Sequence, residues 1–266
     1  MLTNDSNSSF AGVIGLGAFK KEYKNTGGRR WIGLIFGLLC LLATPVLLLI
    51  AAYVAYQAYN TSGLYRVADA VAVPLVFAGI AFVIGALIAI NAWRGWGLAA
   101  ALFDNGVAYQ TRSGVQQANW ADVTAVWQRV TRHYTNGVYT GTTHVYTVQT
   151  NTGQKLVLDD RLGKGVEELG NAVQRGASNA LFPRYLTAIQ NGQRVDFGAL
   201  ALDNQKLYAG KKELPWSEIK AVKISKGMIS VKKDKGWFNW ATVTVPQIPN
   251  FYIFYDLIGR FTTVEQ

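Results

Sequence analysis

The sequence has a single cysteine, Cys40, in 266 residues. A lone thiol cannot form an intramolecular disulfide, and a four-cysteine zinc site is excluded. Histidine is almost as scarce, because only His133 and His144 occur and neither belongs to an H-E-x-x-H pattern. We therefore expect no bound metal and no cofactor.

Catalytic motifs are also missing. The segment 162–166 (LGKGV) lacks the full G-x-x-x-x-G-K-[ST] spacing of a phosphate loop, and no G-x-S-x-G occurs. We predict that the protein is not an enzyme. An undetected membrane-bound enzyme stays an alternative, and it would need a pocket of converging polar side chains with shifted pKa values.

Acidic residues are few, with 16 Asp and Glu against 26 Lys and Arg, and the net charge is +10. A basic protein suits nucleic acid or an anionic membrane surface. No nucleic-acid-binding motif accompanies the charge, so nucleic acid is an unlikely partner.

Two long segments, 31–56 and 70–93, contain no Lys, Arg, Asp, Glu or His. A bilayer core needs roughly 20 apolar residues in a helix. The sequence therefore predicts a transmembrane hairpin over residues 31–93, preceded by a basic arm, 1–30. The first segment is about twice as long as the apolar part of a signal peptide, so we expect it to remain as an anchor. The absence of charge at mid-membrane argues against a transport path.

Basic residues indicate the orientation of the hairpin, because they collect on the cytoplasmic side. Arg66 is the single basic residue of the connecting loop 60–67, whereas several basic residues precede the first span. We expect both termini in the cytoplasm and the loop outside. The basic residues before the span are Lys20, Lys21, Lys24, Arg29 and Arg30.

Small residues spaced by four occur in both spans, as Gly33 with Gly37 and Ala81 with Gly85. This spacing lets membrane helices approach closely. The alternative is that small residues are simply common in membrane helices.

The region behind the spans contains an internal repeat, carried by the segments 103–127 and 202–224. Both segments begin near an Asp-Asn pair and carry W-x-[DE]-[VI]-x-A-V near their end, at 120–126 and 216–222. We expect the Trp to fill one opening of a small barrel, the acid to cap a short turn, and the β-branched residue to point inward. These fold-defining residues are Trp120, Asp122 and Val123 in the first unit, and Trp216, Glu218 and Ile219 in the second.

Each unit continues in the same order, with further strands and then a closing helix. Alternating residues in 138–158 predict strands around a turn at 151–153, and 165–174 has helical spacing. In the second unit, short strands precede a helix over 249–261, with Asn250 as its N-cap. The predicted modules are 97–190 and 195–266.

This order resembles the bacterial PH-like (pleckstrin-homology-like) two-span membrane proteins of uncharacterised function. The segment 16–31 resembles their arm before the first span, and 103–109, 120–123 and 216–219 match their module motifs. The resemblance implies a membrane helical hairpin with a mainly-β region of two tandem PH-like modules, β-barrel-like sheets each closed by a C-terminal helix. It implies a bacterial inner membrane location and no catalytic residues.

Lysines beside aromatic residues suggest a binding surface in the second module. Such a surface suits anionic lipid headgroups, or it is a solvated hairpin whose Trp side chains pack inside. Its residues are Lys223, Lys226, Lys232, Lys233, Lys235, Trp237 and Trp240.

The sequence favours a non-enzymatic scaffold at the cytoplasmic face of the membrane. Its partner would be a protein, the rest of a membrane assembly or a second copy of the chain. Sensing of anionic lipid is the alternative.

Overall fold

The computed structural model describes residues 10, 12–24, 28–95 and 97–265. Residues 1–9 of the predicted arm, and the side chains of Arg29 and Arg30, lie outside this description. The chain forms two compact units. One is Thr26–Gly97, and the other combines Met1–Asn25 with Leu98–Gln266.

The first unit is a pair of helices. α1 spans Gly28–Ser62 and α2 spans Val67–Arg94, joined by a 3-10 turn at Leu64–Arg66. Both helices exceed the predicted segments, and at about 1.5 Å per residue each is longer than a bilayer core. Their apolar windows reach mean hydropathies of 2.8 and 2.7, and only 11% of each window is buried. Two helices long and apolar enough to cross a membrane are therefore present.

The second unit is mainly β and begins with two antiparallel sheets and a long helix. A four-stranded sheet is followed by a 3-10 turn at Trp120–Asp122 and a three-stranded sheet. The elements are β1 (Phe19–Lys24), β2 (Ala99–Phe103), β3 (Gly106–Thr111), β4 (Gly114–Asn119), β5 (Val123–Thr135), β6 (Val138–Thr150), β7 (Lys155–Asp159) and α3 (Val166–Gln190).

The same order then recurs. A four-stranded sheet is followed by a 3-10 turn at Trp216–Glu218, a three-strand meander and a short helix, and a last strand pairs in parallel with β12. The elements are β8 (Val195–Phe197), β9 (Leu200–Leu202), β10 (Lys206–Ala209), β11 (Lys212–Pro215), β12 (Ile219–Ser225), β13 (Met228–Lys233), β14 (Asn239–Thr244), α4 (Phe251–Ile258) and β15 (Val264–Glu265).

The hairpin is inserted between the first two strands of the first half. β1 precedes α1, β2 follows α2, and the two strands pair antiparallel from Phe19↔Phe103 to Lys24↔Ala99. In the second half, the corresponding strands β8 and β9 are joined by only Gly198 and Ala199. Part of the predicted basic arm is thus an integral strand of the first sheet.

The four described sheets are open. In each, the strands follow a linear order in which the first strand does not pair with the last, so none closes into a barrel. The expected barrel-like closure is therefore not confirmed, and the coarser prediction of a mainly-β region is.

One apolar core runs through both halves of this unit. α3 is far longer than predicted, and its C-terminal part reaches the second half. There Tyr185 lies 5.2 Å from Phe197, which lies 5.4 Å from Phe254 between ring centroids. The two predicted modules therefore share their packing.

Candidate functional site

The two repeat tryptophans occupy equivalent positions. The Trp120 indole donates to the Asp104 carbonyl at 3.1 Å, and the Trp216 indole donates to the Asp203 carbonyl at 3.0 Å. Each Trp begins a 3-10 turn, and each turn leads directly into a strand whose first residue, Val123 or Ile219, is buried. The sequence repeat is thus a structural repeat.

The acidic positions of the repeat differ from the expectation. Asn119, one residue before the turn, caps it by accepting the Ala121 N–H at 3.0 Å. Asp122 instead accepts the Asn151 side chain at 3.2 Å, and Glu218 lies 3.6 Å from Lys233. Both acids therefore link their turn to the following sheet.

Two aromatic rings pack directly against glycines of α3. The sequence pattern did not indicate these contacts. A Cβ added at Gly176 would lie 2.5 Å from the Trp120 indole, and one at Gly170 would overlap the Tyr146 ring. Burial raises the pKa of Tyr146 to about 12. These glycines let the helix approach the sheets closely, so the Trp120 environment is a packing site.

The predicted Lys and Trp surface is divided between the two ends of β13. Lys226 lies in the β12–β13 turn, whereas Lys235 and Trp237 lie in the β13–β14 loop, about 20 Å away at ~3.3 Å per residue. Lys223 is exposed on β12. The seven residues do not form one patch.

At the β13–β14 end, two of the lysines have acidic partners. Lys232 lies 3.4 Å from Glu265, and Lys233 lies 3.6 Å from Glu218. In the described part of the chain, no carboxylate lies within ion-pair distance of Lys235.

Two aromatic side chains project from the β13–β14 loop. Trp237 has a relative exposure of 101% and Phe238 one of 90%. Trp240, by contrast, is half-buried and packs against the core. The predicted surface contained both Trp237 and Trp240. The exposed aromatic side chains of this loop are instead Trp237 and Phe238.

A second exposed feature is the distal β5–β6 ribbon, residues 129–144. β7 pairs with β6 only over Val145–Gln149, so the ribbon extends beyond the sheet as two strands. It ends in a turn at Asn136 and Gly137, both with positive φ, as a tight hairpin requires. Its tip carries Tyr134 and Tyr139, which are exposed and lie edge to face at 5.9 Å.

The ribbon is basic. Residues 123–158 contain no Asp or Glu, while Arg129 and Arg132 are exposed on β5. Asp160 lies beside the ribbon only at its base, 3.5 Å from His144. The basic and partly apolar surface of the rest of the ribbon suits an acidic partner.

Within the hairpin, Gly37 and Gly85 lie against each other. A Cβ at Gly37 would lie 3.2 Å from the Gly85 carbonyl oxygen, and a Cβ at Gly85 would lie 3.0 Å from that of Gly37. Nothing lies within 4 Å of the Cβ direction of Gly33, and Ala81 is half-buried. Only one residue of each predicted pair is therefore shown at the helix contact.

Among the described residues, no group of three or more His, Cys, Asp or Glu lies close enough to hold a metal ion. His144 lies 3.5 Å from Asp160. The His133 ring lies 2.6 Å from the Thr143 hydroxyl, and this pair is exposed on the surface of the β5–β6 ribbon. A shallow groove of about 600 Å³ lies beside the end of α4, near Asp256 and Arg260.

The model of a family described as a family of unknown function, DUF6585, matches residues 4–266. No curated protein matches the chain.

Proposed function

The chain belongs to this family of unknown function, and we propose that it is a non-enzymatic, membrane-anchored binding protein. Its two helices would span a bacterial cytoplasmic membrane, and its β region would present a binding surface to a protein partner on the cytoplasmic side. The observation that carries the proposal is the insertion of the apolar hairpin between the paired strands β1 and β2.

This pairing bears directly on topology. β1 ends at Lys24 and pairs there with Ala99, the first residue of β2. Two paired strands must lie on the same side of a membrane, because an open sheet cannot cross the hydrocarbon region. The basic residues before α1 then favour the cytoplasmic side.

We further propose that each half of the β region is a PH-like module. The support is the order that both halves share, four antiparallel strands, three more strands and a closing helix. The hairpin would then occupy the loop between the first two strands of the first module.

The partner would bind the distal β5–β6 ribbon. This ribbon combines exposed Tyr134 and Tyr139 with Arg129 and Arg132, and it has unpaired strand edges. Aromatic and Arg residues dominate the energetics of protein interfaces. We expect the partner surface to be acidic, either in another subunit of an assembly or elsewhere in a second copy.

The test combines topology with site-specific cross-linking. A reporter fused after Gln266 is expected to be cytoplasmic, and one inserted at Gly63 external, in a protein that resists alkaline extraction from membranes. A photoreactive amino acid at Tyr139 should give one discrete adduct in cells. The matched control carries it at Tyr252, which is exposed on α4.

An external C-terminal reporter would overturn the topology. The ribbon is not the partner site if the photoreactive amino acid gives equal amounts of adduct at Tyr139 and Tyr252. It is also not the partner site if the Tyr139 adduct is lost only when all surface arginines are replaced. Loss on replacing Arg129 and Arg132 alone supports it.

A further inference from the structure

The β13–β14 loop presents a fully exposed aromatic pair on a fixed base. Trp237 and Phe238 are the most exposed large apolar side chains among the described residues. The Asp234 N–H donates to the Glu218 carbonyl at 2.9 Å, and Asn239 pairs with Lys232 across the sheet. The rings therefore stand on an anchored loop.

The exposure of these rings needs a partner to explain it. Apolar side chains scattered singly on a surface are ordinary, but two adjacent large rings with no core contact are a typical interaction site. Three residues further on, Trp240 faces the core, so the chain could have buried an aromatic residue here. Only Trp237 and Phe238 face outward.

Lipid fits this loop better than another protein does. Trp is enriched at membrane interfaces because its ring is apolar while its N–H stays in the wetter layer. Lys235 precedes the rings and can place its ammonium among the headgroups while its stem lies along apolar surface. The chain that connects the hairpin to the β region is also short, since α2 ends at Arg94 and β2 begins at Ala99.

We propose that the β13–β14 loop inserts Trp237 and Phe238 into the interfacial layer of the membrane that the hairpin spans. The second half of the β region thereby gains its own contact with the bilayer. The inference rests on the proposed membrane anchoring and adds a second, apolar attachment point to it. Lys235 contributes attraction to anionic headgroups, but the rings provide the main contact.

The experiment uses the full chain in vesicles of phosphatidylcholine with phosphatidylglycerol. Cys40, the only cysteine, is replaced by Ala, and an environment-sensitive fluorophore is attached after Phe238→Cys. The matched control carries the same fluorophore after Tyr139→Cys, at the tip of the ribbon. Nitroxide groups on the lipid chains quench a fluorophore in the bilayer whichever way the protein faces.

The label at 238 should emit at shorter wavelength than the label at 139 and be quenched more strongly by the lipid nitroxides. Adding Trp237→Ser should lower this quenching to the level of the control. Because apolar burial is not screened, the quenching should persist when ~1 M salt shortens the Debye length to about 3 Å.

Two results would overturn the inference. One is equal quenching at 238 and 139 in a protein that still resists alkaline extraction, which leaves the proposed anchoring intact. The other is quenching at 238 that salt abolishes, which would assign the contact to charge alone. Extraction of the protein by alkali would refute the anchoring itself.

Discussion

Asn250 joins the two halves of the β region, and its replacement tests whether they form one cooperative unit. It is 5% exposed and has a positive φ of 53°. Its side-chain oxygen accepts the Val126 N–H at 2.9 Å, and its amide donates to the Thr124 carbonyl and the Tyr185 hydroxyl, both at 3.0 Å. One side chain just before α4 thus satisfies groups on both β5 and α3.

Asn250→Ala removes all three hydrogen bonds. A buried donor or acceptor left without a partner costs about 1–3 kcal/mol, and Val126 and Thr124 would each have one. Alanine also tolerates the left-handed conformation poorly, at about 1–2 kcal/mol. The sum predicts a loss of about 3–8 kcal/mol in the free energy of unfolding. That is a large part of the stability of an ordinary domain.

The assay is chemical unfolding of the full chain in mild detergent, followed by tryptophan fluorescence. Asn136→Ala is the matched control, because Asn136 has almost the same φ, 51°, in an exposed turn. It should lose only the conformational part, about 1–2 kcal/mol. Asn250→Gly relieves the backbone and isolates the hydrogen-bond part. If Asn250→Ala costs no more than Asn136→Ala, the side chain does not couple the halves and the reasoning is wrong.

Two further predictions concern packing and pH. Gly170→Ala should destabilise the protein by about 1–3 kcal/mol, because the added methyl group overlaps the Tyr146 ring. Helix propensity alone would favour Ala by about 1 kcal/mol. A stabilised variant in the same unfolding assay would contradict the close approach of α3 to Tyr146. The pKa of Asp203 is below its ordinary value of 3.8, because hydrogen bonds from Tyr208 and two backbone N–H groups outweigh the opposing effect of burial. A carboxyl group whose pKa is lower in the folded state than in the unfolded state stabilises the fold at pH values above its unfolded pKa. This stabilisation is lost as pH falls through the folded pKa. The difference in the free energy of unfolding between wild type and Asp203→Asn should therefore become smaller as pH falls from ~6 to ~3. If unfolding curves over this pH range show a constant difference, the Asp203 carboxylate does not contribute to the pH dependence of stability.

The repeat could be predicted from sequence because its contacts are local. In each half, the Trp, the short turn and the buried β-branched residue lie within four positions. The acceptor of each indole is the Asp that opens the same motif, Asp104 or Asp203. A spacing pattern therefore contains nearly the whole arrangement.

Contacts across long separations were not predictable in this way. β1 has the sequence FKKEYK, whose charges hide its alternation, and its partner β2 lies beyond the entire hairpin. Trp237 lies in the β13–β14 loop, whereas Trp240 lies at a register shift between these strands, where Val231 pairs with Ala241 and Lys232 pairs with Asn239. No local pattern in the sequence distinguishes the two. Asn250 occupies the predicted N-cap position, but its side chain binds β5, which no local pattern indicates.

The helix contact shows the same limit. The spacing of four residues marked Gly33 and Gly37 equally. The buried small residues have other spacings: Gly37 and Ala51 are fourteen positions apart in α1, and Ala78 and Gly85 are seven apart in α2. Spacing identifies small faces, and the partner helix decides which face is used.

The inserted hairpin also sets the order of events during synthesis. β1 is synthesised before residues 25–98, and at roughly 5–20 residues per second its partner β2 follows only after about 4–15 seconds. In the proposed membrane-anchored protein, the two apolar helices would enter the bilayer during that interval, while β1 has no partner strand. The first sheet would then assemble only on chains whose second helix has brought β2 back to the side where β1 remained, so correct membrane insertion would be required before this sheet can fold.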